Sequence, residues 1–167
     1  MQETPYYIEV SKKSGLPDGR ATALLDSTQD LGIESVEAFL VGQLYILHGR
    51  LSEQALKTVC DQLLCDPIAE DARVGEGHLP GFEGCLTAKV TYLPGVTDAV
   101  AGTVIEALAQ LGVEGVSGVA SGMVYHLFAP SSLDTQSIRT IAERILANPV
   151  IQNYEVYDSD GHLVMKG

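Results

Sequence analysis

The stretch Leu31-Gly32-Ile33-Glu34 decides the fold, because it recurs as Leu111-Gly112-Val113-Glu114 with an offset of 80 residues in a chain of 167. The same offset pairs Gly15 with Gly95 and further residues on both sides. Self-similarity at a fixed period indicates tandem copies of one structural unit. We therefore predict two repeats of about 75 residues each.

A small change of offset supports the duplication. Beyond an insertion of two residues near Pro130-Ser131-Ser132 the offset becomes 82, and Pro67 then matches Pro149. Loops tolerate added residues far better than helices or strands do. A chance similarity would not keep its register through the predicted helices, strands and turns on both sides of such an insertion.

Each repeat predicts elements in the order β-α-β-β-α-β. In the first strand the apolar side chains of Tyr6 and Ile8 alternate with polar ones such as Glu9, which is the period of a half-buried strand. The glycine-containing pairs Gly42-Gln43 and Ser121-Gly122 predict a hairpin in the middle of each repeat. One long bent strand at each of these positions is the alternative.

The predicted helices have clear boundaries. Gly32 and Gly112 predict left-handed ends for the first helix of each repeat. Short polar side chains that can accept hydrogen bonds from first-turn amides predict where helices begin. These N-cap residues are Asp18, Ser52, Asp98 and Asp134. The second helix of each repeat has an apolar stripe at helical spacing. The stripes are Leu56, Val59, Cys60, Leu63 and Leu64, and Ile138, Ile141, Ala142, Ile145 and Leu146.

A single sheet with helices on one face leaves its other face bare, and an exposed apolar face is unfavourable in water. We therefore predict an α+β fold of two tandem ferredoxin-like units packed sheet to sheet as an internal pseudo-dimer. In this arrangement neither half folds well alone. The predicted boundaries are residues 1–75 for the first repeat, 76–84 for a linker, 85–157 for the second repeat and 158–167 for a tail.

Composition excludes several function classes. The formal net charge of −12 repels phosphate backbones, so we expect no nucleic-acid partner. No run approaches the roughly 20 apolar residues of a membrane span, and no basic and apolar signal sequence opens the chain. Cys60, Cys65 and Cys85 have no C-x-x-C spacing, which indicates a reducing cytoplasm rather than a disulfide framework.

The sequence contains no convincing reactive constellation. None of the four histidines has a Cys, Asp or Glu partner at metal-ligand spacing, and no serine or cysteine lies in a nucleophile motif. We therefore predict no catalytic, cofactor-binding or metal-binding residue. The acidic pairs Glu70-Asp71 and Asp158-Asp160 are typical of solvated turns. Tyr45 and Tyr125, at equivalent strand positions, are candidates to line a groove or interface at the pseudo-twofold axis, and half-buried strand residues are the plainer interpretation.

Several stretches resemble one known family. The sequence LANPVIQNYEV at residues 146–156 resembles the L-A-N-P-V-I-x-x-Y-x-V ending of the PurS family, and LCDPIAEDARV at 64–74 is a degenerate form of it. Residues 15–19, GLPDG, are similar to the family's G-x-L-D-P-x-G loop. Val41-Gly42 is similar to its V-G-K, although Gln43 replaces the lysine. Residues 8–15 and 92–95 resemble the PurS-like N-terminal region of fused phosphoribosylformylglycinamidine (FGAM) synthases.

The resemblance implies a part in purine biosynthesis without catalysis by this chain. The PurS small subunit is a dimer that bridges a synthetase, which uses ATP and magnesium, and a glutaminase, which releases ammonia from glutamine. It also helps ammonia pass between them. A tandem copy would supply that dimer in one chain, open to further self-association, while the cofactors and active-site residues belong to the partner subunits.

Two other functions remain open at this point. A regulatory module that binds an amino acid or a nucleotide is the main alternative, because tandem ferredoxin-like units offer an interface for such ligands. A small ferredoxin-like enzyme is the third, and the missing nucleophile, metal and acid-base set argues against it. Fold analogy alone cannot choose among them.

Overall fold

A computed structural model describes residues 3–129 and 133–167, so the insertion near Pro130-Ser131-Ser132 lies outside the described residues. Within those ranges the chain forms four helices and seven strands. The first repeat contributes β1 (Tyr6–Lys12), α1 (Gly19–Asp30), β2 (Ala38–Gly49), α2 (Glu53–Val59) and β3 (Glu70–Glu76). The second contributes β4 (Cys85–Tyr92), α3 (Ala99–Gln110), β5 (Val116–Phe128), α4 (Thr135–Ile141) and β6 (Gln152–Tyr157), and the predicted tail contains β7 (Leu163–Lys166).

All four predicted N-cap side chains accept a hydrogen bond from an amide of the first helical turn. Asp18 accepts from Arg20, Ser52 from Ala55, Asp98 from Ala101 and Asp134 from Ser137. Gly32 and Gly112 have φ values of +83° and +73°, which confirms the left-handed ends predicted for α1 and α3. Local sequence chemistry therefore determines where the helices begin and end.

The second helix of each repeat changes geometry before it ends. α2 continues into the π-helical turn Cys60–Leu64, and α4 continues into the π-helical turn Ala142–Leu146. The amide of Cys65 donates to the carbonyl oxygen of Cys60 at 3.0 Å, which is the i to i+5 spacing of a π-turn. None of the helices in the described ranges is long and apolar enough to cross a membrane.

The predicted hairpins are wrong, and the alternative of one long strand is correct. β2 runs through Gly42-Gln43 and β5 runs through Ser121-Gly122 without a turn. The side-chain amide of Gln43 donates to the carbonyl oxygen of Gly122 at 2.8 Å, so these residues lie side by side. A glycine in a strand here allows close backbone approach instead of a turn. Each repeat therefore has the order β-α-β-α-β.

The strands form one antiparallel sheet in the order β3-β1-β2-β5-β4-β6-β7. β1 pairs with β3, placing Glu9 opposite Arg73, and β4 pairs with β6, placing Lys89 opposite Glu155. The predicted packing of two sheets face to face is therefore corrected to a single sheet. Long neighbouring strands satisfy each other's backbone hydrogen bonds edge to edge, which extends a sheet instead of stacking a second one on it.

The described residues cluster into two compact units that do not coincide with the repeats. The first compact unit comprises Met1–Leu16, Gln43–Pro80 and Thr97–Gly122, and the second comprises Pro17–Gly42, Gly81–Val96 and Met123–Gly167. The first unit thus contains α3 of the second repeat, and the second unit contains α1 of the first repeat. In each repeat, the first strand and the helix that follows it therefore belong to different compact units.

The apolar cores follow this exchange of helices. In the first unit Ile8 of β1 and Val59 of α2 share a buried cluster with Val104 and Leu108 of α3. In the second unit Ile141 is fully buried in a cluster against which Leu24 of α1 packs. Burying an aliphatic side chain contributes about 1.5–3 kcal/mol, so the exchanged helices account for a substantial part of each core.

Candidate interaction sites

Tyr45 and Tyr125 lie in cavities at equivalent positions, one in each compact unit. Tyr125 of β5 lines a cavity of about 440 Å³ together with α1 and the π-helical turn Ala142–Leu146. Tyr45 of β2 lines one of about 350 Å³ together with α3 and the π-helical turn Cys60–Leu64. Each tyrosine therefore occupies its own cavity, where the sequence had suggested a groove at a common axis. Their participation in an interface stays a prediction.

The two tyrosine hydroxyls experience different charges. Burial raises the pKa of both. The carboxylate of Glu70 raises the pKa of Tyr45 further, whereas the guanidinium of Arg20 acts to lower that of Tyr125. Equivalent positions in the two repeats therefore carry opposite electrostatic environments.

The cavity beside α2 is larger, about 590 Å³, and both of its lysines are paired with carboxylates. Lys57 lies 2.7 Å from Asp61 and Lys13 lies 3.4 Å from Asp71. Cys60 also lines it, and burial raises the pKa of that thiol to about 11, which keeps it protonated at neutral pH. Glu53 and Glu70 in the same lining form no ion pair with any described residue, and Cys60 supplies no thiolate nucleophile.

One of the four histidines is part of the core. His126 is fully buried, and its Nδ1 lies 2.9 Å from the hydroxyl of Thr87. The ring of Phe82 meets it edge-on with centroids 4.7 Å apart. His48, His78 and His162 are exposed. His126 thus has a satisfied structural environment.

The side chains of Asp158, Asp160 and His162 come close enough that their oxygen and nitrogen atoms lie within 4.8 Å of one another. The sequence pattern indicated only the Asp158-Asp160 pair and not its proximity to His162. Asp158 Oδ1 accepts hydrogen bonds from the backbone amides of Asp160 and His162, each at 2.9 Å. The hydrogen bond from the His162 amide is the largest cause of the lowered pKa of Asp158. The carboxylate thus closes the turn between β6 and β7.

The two turns that follow the second helices have the same pattern of hydrogen bonds, and we call them the bracketed turns. In turn 66–70 the carboxylate of Asp66 accepts from the amide of Ile68, and Glu70 accepts from the amide of Asp66, both at 2.9 Å. In turn 148–152 the side chain of Asn148 accepts from the amide of Val150 at 3.1 Å.

The second bracketed turn is closed in the same way as the first. Gln152 accepts from the amide of Asn148 at 2.8 Å. These side-chain bonds hold each turn rigid, as Asx-turns do. Each turn presents a strongly exposed aliphatic side chain, Ile68 at 86% and Val150 at 79%, and in the second turn Ile151 is also 37% exposed. The exposure of these side chains was not predicted, although their equivalent positions could have drawn attention to them.

The family model for PurS, described as phosphoribosylformylglycinamidine (FGAM) synthase, matches the chain twice, over residues 6–75 and 86–159. The chain belongs to the PurS family. The double match confirms the predicted tandem duplication and assigns the chain to FGAM synthase in purine biosynthesis. A search of curated proteins found no match.

The two PurS matches include both bracketed turns and both tyrosine cavities. β7 lies outside both matches. Residues 77–84, between β3 and β4, contain neither helix nor strand. The candidate interaction sites therefore belong to the PurS repeats themselves.

Proposed function

We propose that this chain is a non-catalytic assembly module of FGAM synthase in the cytoplasm. It bridges the synthetase and glutaminase parts of that enzyme and assists ammonia transfer between them. Membership in the PurS family supports the place in purine biosynthesis. The observation that carries the assembly role is the pair of bracketed turns, each of which presents an exposed aliphatic side chain on a rigid backbone.

The geometry of the bracketed turns suits docking. A single exposed aliphatic residue is common on protein surfaces and means little alone. Ile68 and Val150, however, occupy equivalent positions, and their amides are fixed by the side chains of Asp66 and Asn148. A preorganised backbone lowers the entropy lost on binding, so more of the burial energy becomes affinity.

The two turns differ in charge, which supports two different partner surfaces. Turn 66–70 carries the carboxylates of Asp66 and Glu70, and Asp71 follows directly. Turn 148–152 has the neutral amides of Asn148 and Gln152 at the corresponding positions. An apolar pocket with a basic rim complements the first turn, and one with a neutral polar rim complements the second. A module that bridges two different partners needs two docking surfaces that differ in this way.

The proposal is tested by reconstitution with purified synthetase and glutaminase parts. We expect the chain to bind both and to raise glutamine-dependent FGAM formation, while activity with free ammonia stays unchanged. Ile68→Ser and Val150→Ser should each weaken binding to a different partner by about tenfold or more, since about 1.4 kcal/mol of lost burial corresponds to one decade.

Leu163→Ser is the matched control, because Leu163 is 51% exposed on β7, outside both turns. It should bind both partners as the parent does. Failure of the parent chain to bind either part, or unchanged binding after both turn substitutions together, would contradict the proposal.

The alternative function, a regulatory module that binds a small molecule, is favoured by one observation. The Tyr125 cavity has two arginines in its lining, Arg20 and Arg144. Binding of a ligand to the native state alone raises stability with ligand concentration, so a thermal shift on the isolated chain tests this alternative.

A further inference from the structure

The two tyrosine cavities are equivalent in position but not in chemistry. On α1 the Tyr125 cavity has Arg20 and Ser27, whereas α3 supplies Val100 and Ala107 at the matching positions of the Tyr45 cavity. The duplication thus provides an internal comparison, in which the Tyr125 cavity has a cationic group that the Tyr45 cavity lacks, while Thr103 of the Tyr45 cavity replaces Ala23.

The second arginine shows the same asymmetry. Arg144, in the π-helical turn Ala142–Leu146, lines the Tyr125 cavity, and its counterpart at the offset of 82 is Gln62, which does not line the Tyr45 cavity. The chain has only 10 basic residues against 22 acidic ones. Two of those 10 basic residues line this cavity, so positive charge is concentrated there in an otherwise acidic chain.

These arginines keep hydrogen-bond donors available. The Nε of Arg20 lies 3.4 Å from Asp18 Oδ1, and neither of its terminal nitrogens is hydrogen-bonded to any residue in the described part of the chain. Arg144 is exposed, and no described residue forms an ion pair with it. A guanidinium carries five N–H donors in a planar fork that matches carboxylate and phosphate oxygens.

The cavity has a size and a lining that suit a small molecule. Its volume of about 440 Å³ lies within the range of roughly 300–1,000 Å³ that ligand pockets occupy. Leu24 and Ile145 supply apolar surface to the lining, and the half-buried Tyr125 adds its ring. The positive charge of Arg20 acts on the Tyr125 hydroxyl and opposes the rise in its pKa that burial causes.

We propose that the Tyr125 cavity binds the phosphate or carboxylate group of a small metabolite, with Arg20 and Arg144 recognising its charge. An oxyanion in this cavity accepts charge-assisted hydrogen bonds from the two guanidinium groups. The apolar lining and the tyrosine ring then hold the uncharged part of the ligand.

The test uses the full chain and three probes at constant ionic strength, which are inorganic phosphate, adenosine monophosphate and glutamate. Isothermal titration and thermal unfolding are the readouts. We expect at least one probe to bind with one site per chain. Tighter binding of the monophosphate than of inorganic phosphate indicates a phosphorylated metabolite, and preference for glutamate indicates a carboxylated one.

The substitutions are copied from the other repeat. Arg20→Val introduces the residue found at position 100, and Arg144→Gln the residue found at position 62, so neither is foreign to this fold. Each should weaken binding by about tenfold or more, as expected for a lost charge-assisted contact. Arg144→Lys keeps the charge without the fork and should lie between the parent and Arg144→Gln.

Arg139→Gln is the matched control. Arg139 is an exposed arginine on α4 that lies 3.5 Å from Glu143 and does not line the cavity. It should leave binding unchanged. The proposal is overturned if none of the three anions binds, or if binding survives Arg20→Val combined with Arg144→Gln. All measurements are made without partner subunits, so they are independent of the assembly role.

Discussion

Arg73 donates a hydrogen bond from Nη1 to the Oε2 atom of Glu9 at 3.1 Å, and the Glu9 side chain is completely buried. The second repeat has the same cross-strand pair with the charges exchanged, since Lys89 lies 3.1 Å from Glu155. Both repeats therefore have an ion pair between their first and last strands, with the acidic and basic residues exchanged. This indicates that the interaction is needed there, rather than either residue.

The first prediction concerns this pair. Arg73→Met removes the guanidinium that lies 3.1 Å from the buried Glu9 carboxylate, and we expect the free energy of unfolding to fall by about 3–5 kcal/mol. Glu9→Lys and Arg73→Glu should each destabilise the chain, whereas the two together reproduce the pair of the second repeat and restore much of the loss. Urea denaturation of the parent and the four variants measures this. A double variant less stable than both singles would refute the interpretation.

The second prediction compares two N-cap residues. Asp98 accepts hydrogen bonds from the amide of Ala101 and from the amide and hydroxyl of Ser121, at 3.0, 2.7 and 2.6 Å. Asp18 accepts from Arg20, but its buried Oδ2 has no hydrogen-bond partner among the described residues.

Asp98→Ala should therefore cost about 2–3 kcal/mol of stability, against about 1 kcal/mol or less for Asp18→Ala. The difference arises because only Asp98→Ala also removes the hydrogen bonds from Ser121 of β5. Thermal and urea denaturation check the order. Equal losses would show that the Ser121 bonds contribute nothing.

The third prediction concerns acid stability. Burial alone would raise the pKa of Glu155, but the hydrogen bond from Tyr157 and the charge of Lys89 outweigh it and hold the pKa below the ordinary value of 4.5. The unfolded chain then binds this proton more readily than the native one.

The stabilisation from Glu155 is therefore fully present above pH 4.5 and is lost as the pH falls through the lower, folded-state pKa. Glu155→Gln should flatten the decline of unfolding free energy over that acidic range. Glu106→Gln, at an exposed position on α3, is the control and should leave the decline as it is. Parallel curves for the parent and Glu155→Gln would contradict this account.

The fourth prediction concerns glycines. Gly49 has a φ of +138°, and a Cβ atom there would overlap the carbonyl oxygen of Gly115, which accepts a hydrogen bond from Arg50 at 2.9 Å. Gly49→Ala should destabilise the chain by about 3 kcal/mol, through backbone strain and overlap together.

Gly102 provides the matched comparison. It lies in α3, is exposed, and a Cβ atom there meets nothing within 4 Å. Gly102→Ala should stabilise the chain by about 0.5–1 kcal/mol, because alanine loses less entropy in a helix. Calorimetric melting of both variants decides the matter, and a stable Gly49→Ala protein would count against the close approach.

The fifth prediction concerns the exchanged helices. Fragments 1–80 and 81–167 should each lack a cooperative unfolding transition, since each loses a helix from the compact unit that its other elements form. Mixing the two fragments should restore the transition. Circular dichroism during urea titration measures both results, and a cooperative transition in either fragment alone would oppose this prediction.

Much of the fold was accessible from the sequence because the relevant signals are local. Asp18 and Asp134 cap helices through bonds to residues two or three positions away, and Gly32 ends a helix by its own backbone freedom. The repeat itself is visible as matching residues at a fixed offset. The exchanged charges of Glu9 and Arg73 against Lys89 and Glu155 were also readable, once the repeats were aligned.

The candidate sites were less accessible. Tyr45 and Tyr125 stood out as equivalent residues, but a cavity needs walls from elements far apart in the chain, as Arg20 and Arg144 show. The exposure of Ile68 likewise depends on whether another part of the chain packs over it, and the local sequence does not determine that. Aligning the repeats could have revealed that arginine occupies these two positions in one copy only.

The sequence by itself determined the repeat, the helix ends and the PurS family, because each depends on short-range chemistry or on residue identity. Only the tertiary structure decided that Gly42 and Gly122 lie within long strands, that the strands form one sheet, and that α1 and α3 exchange places. Those outcomes depend on the total apolar area buried and on backbone pairing between distant segments, and a local pattern such as Gly42-Gln43 is compatible with either a turn or a strand.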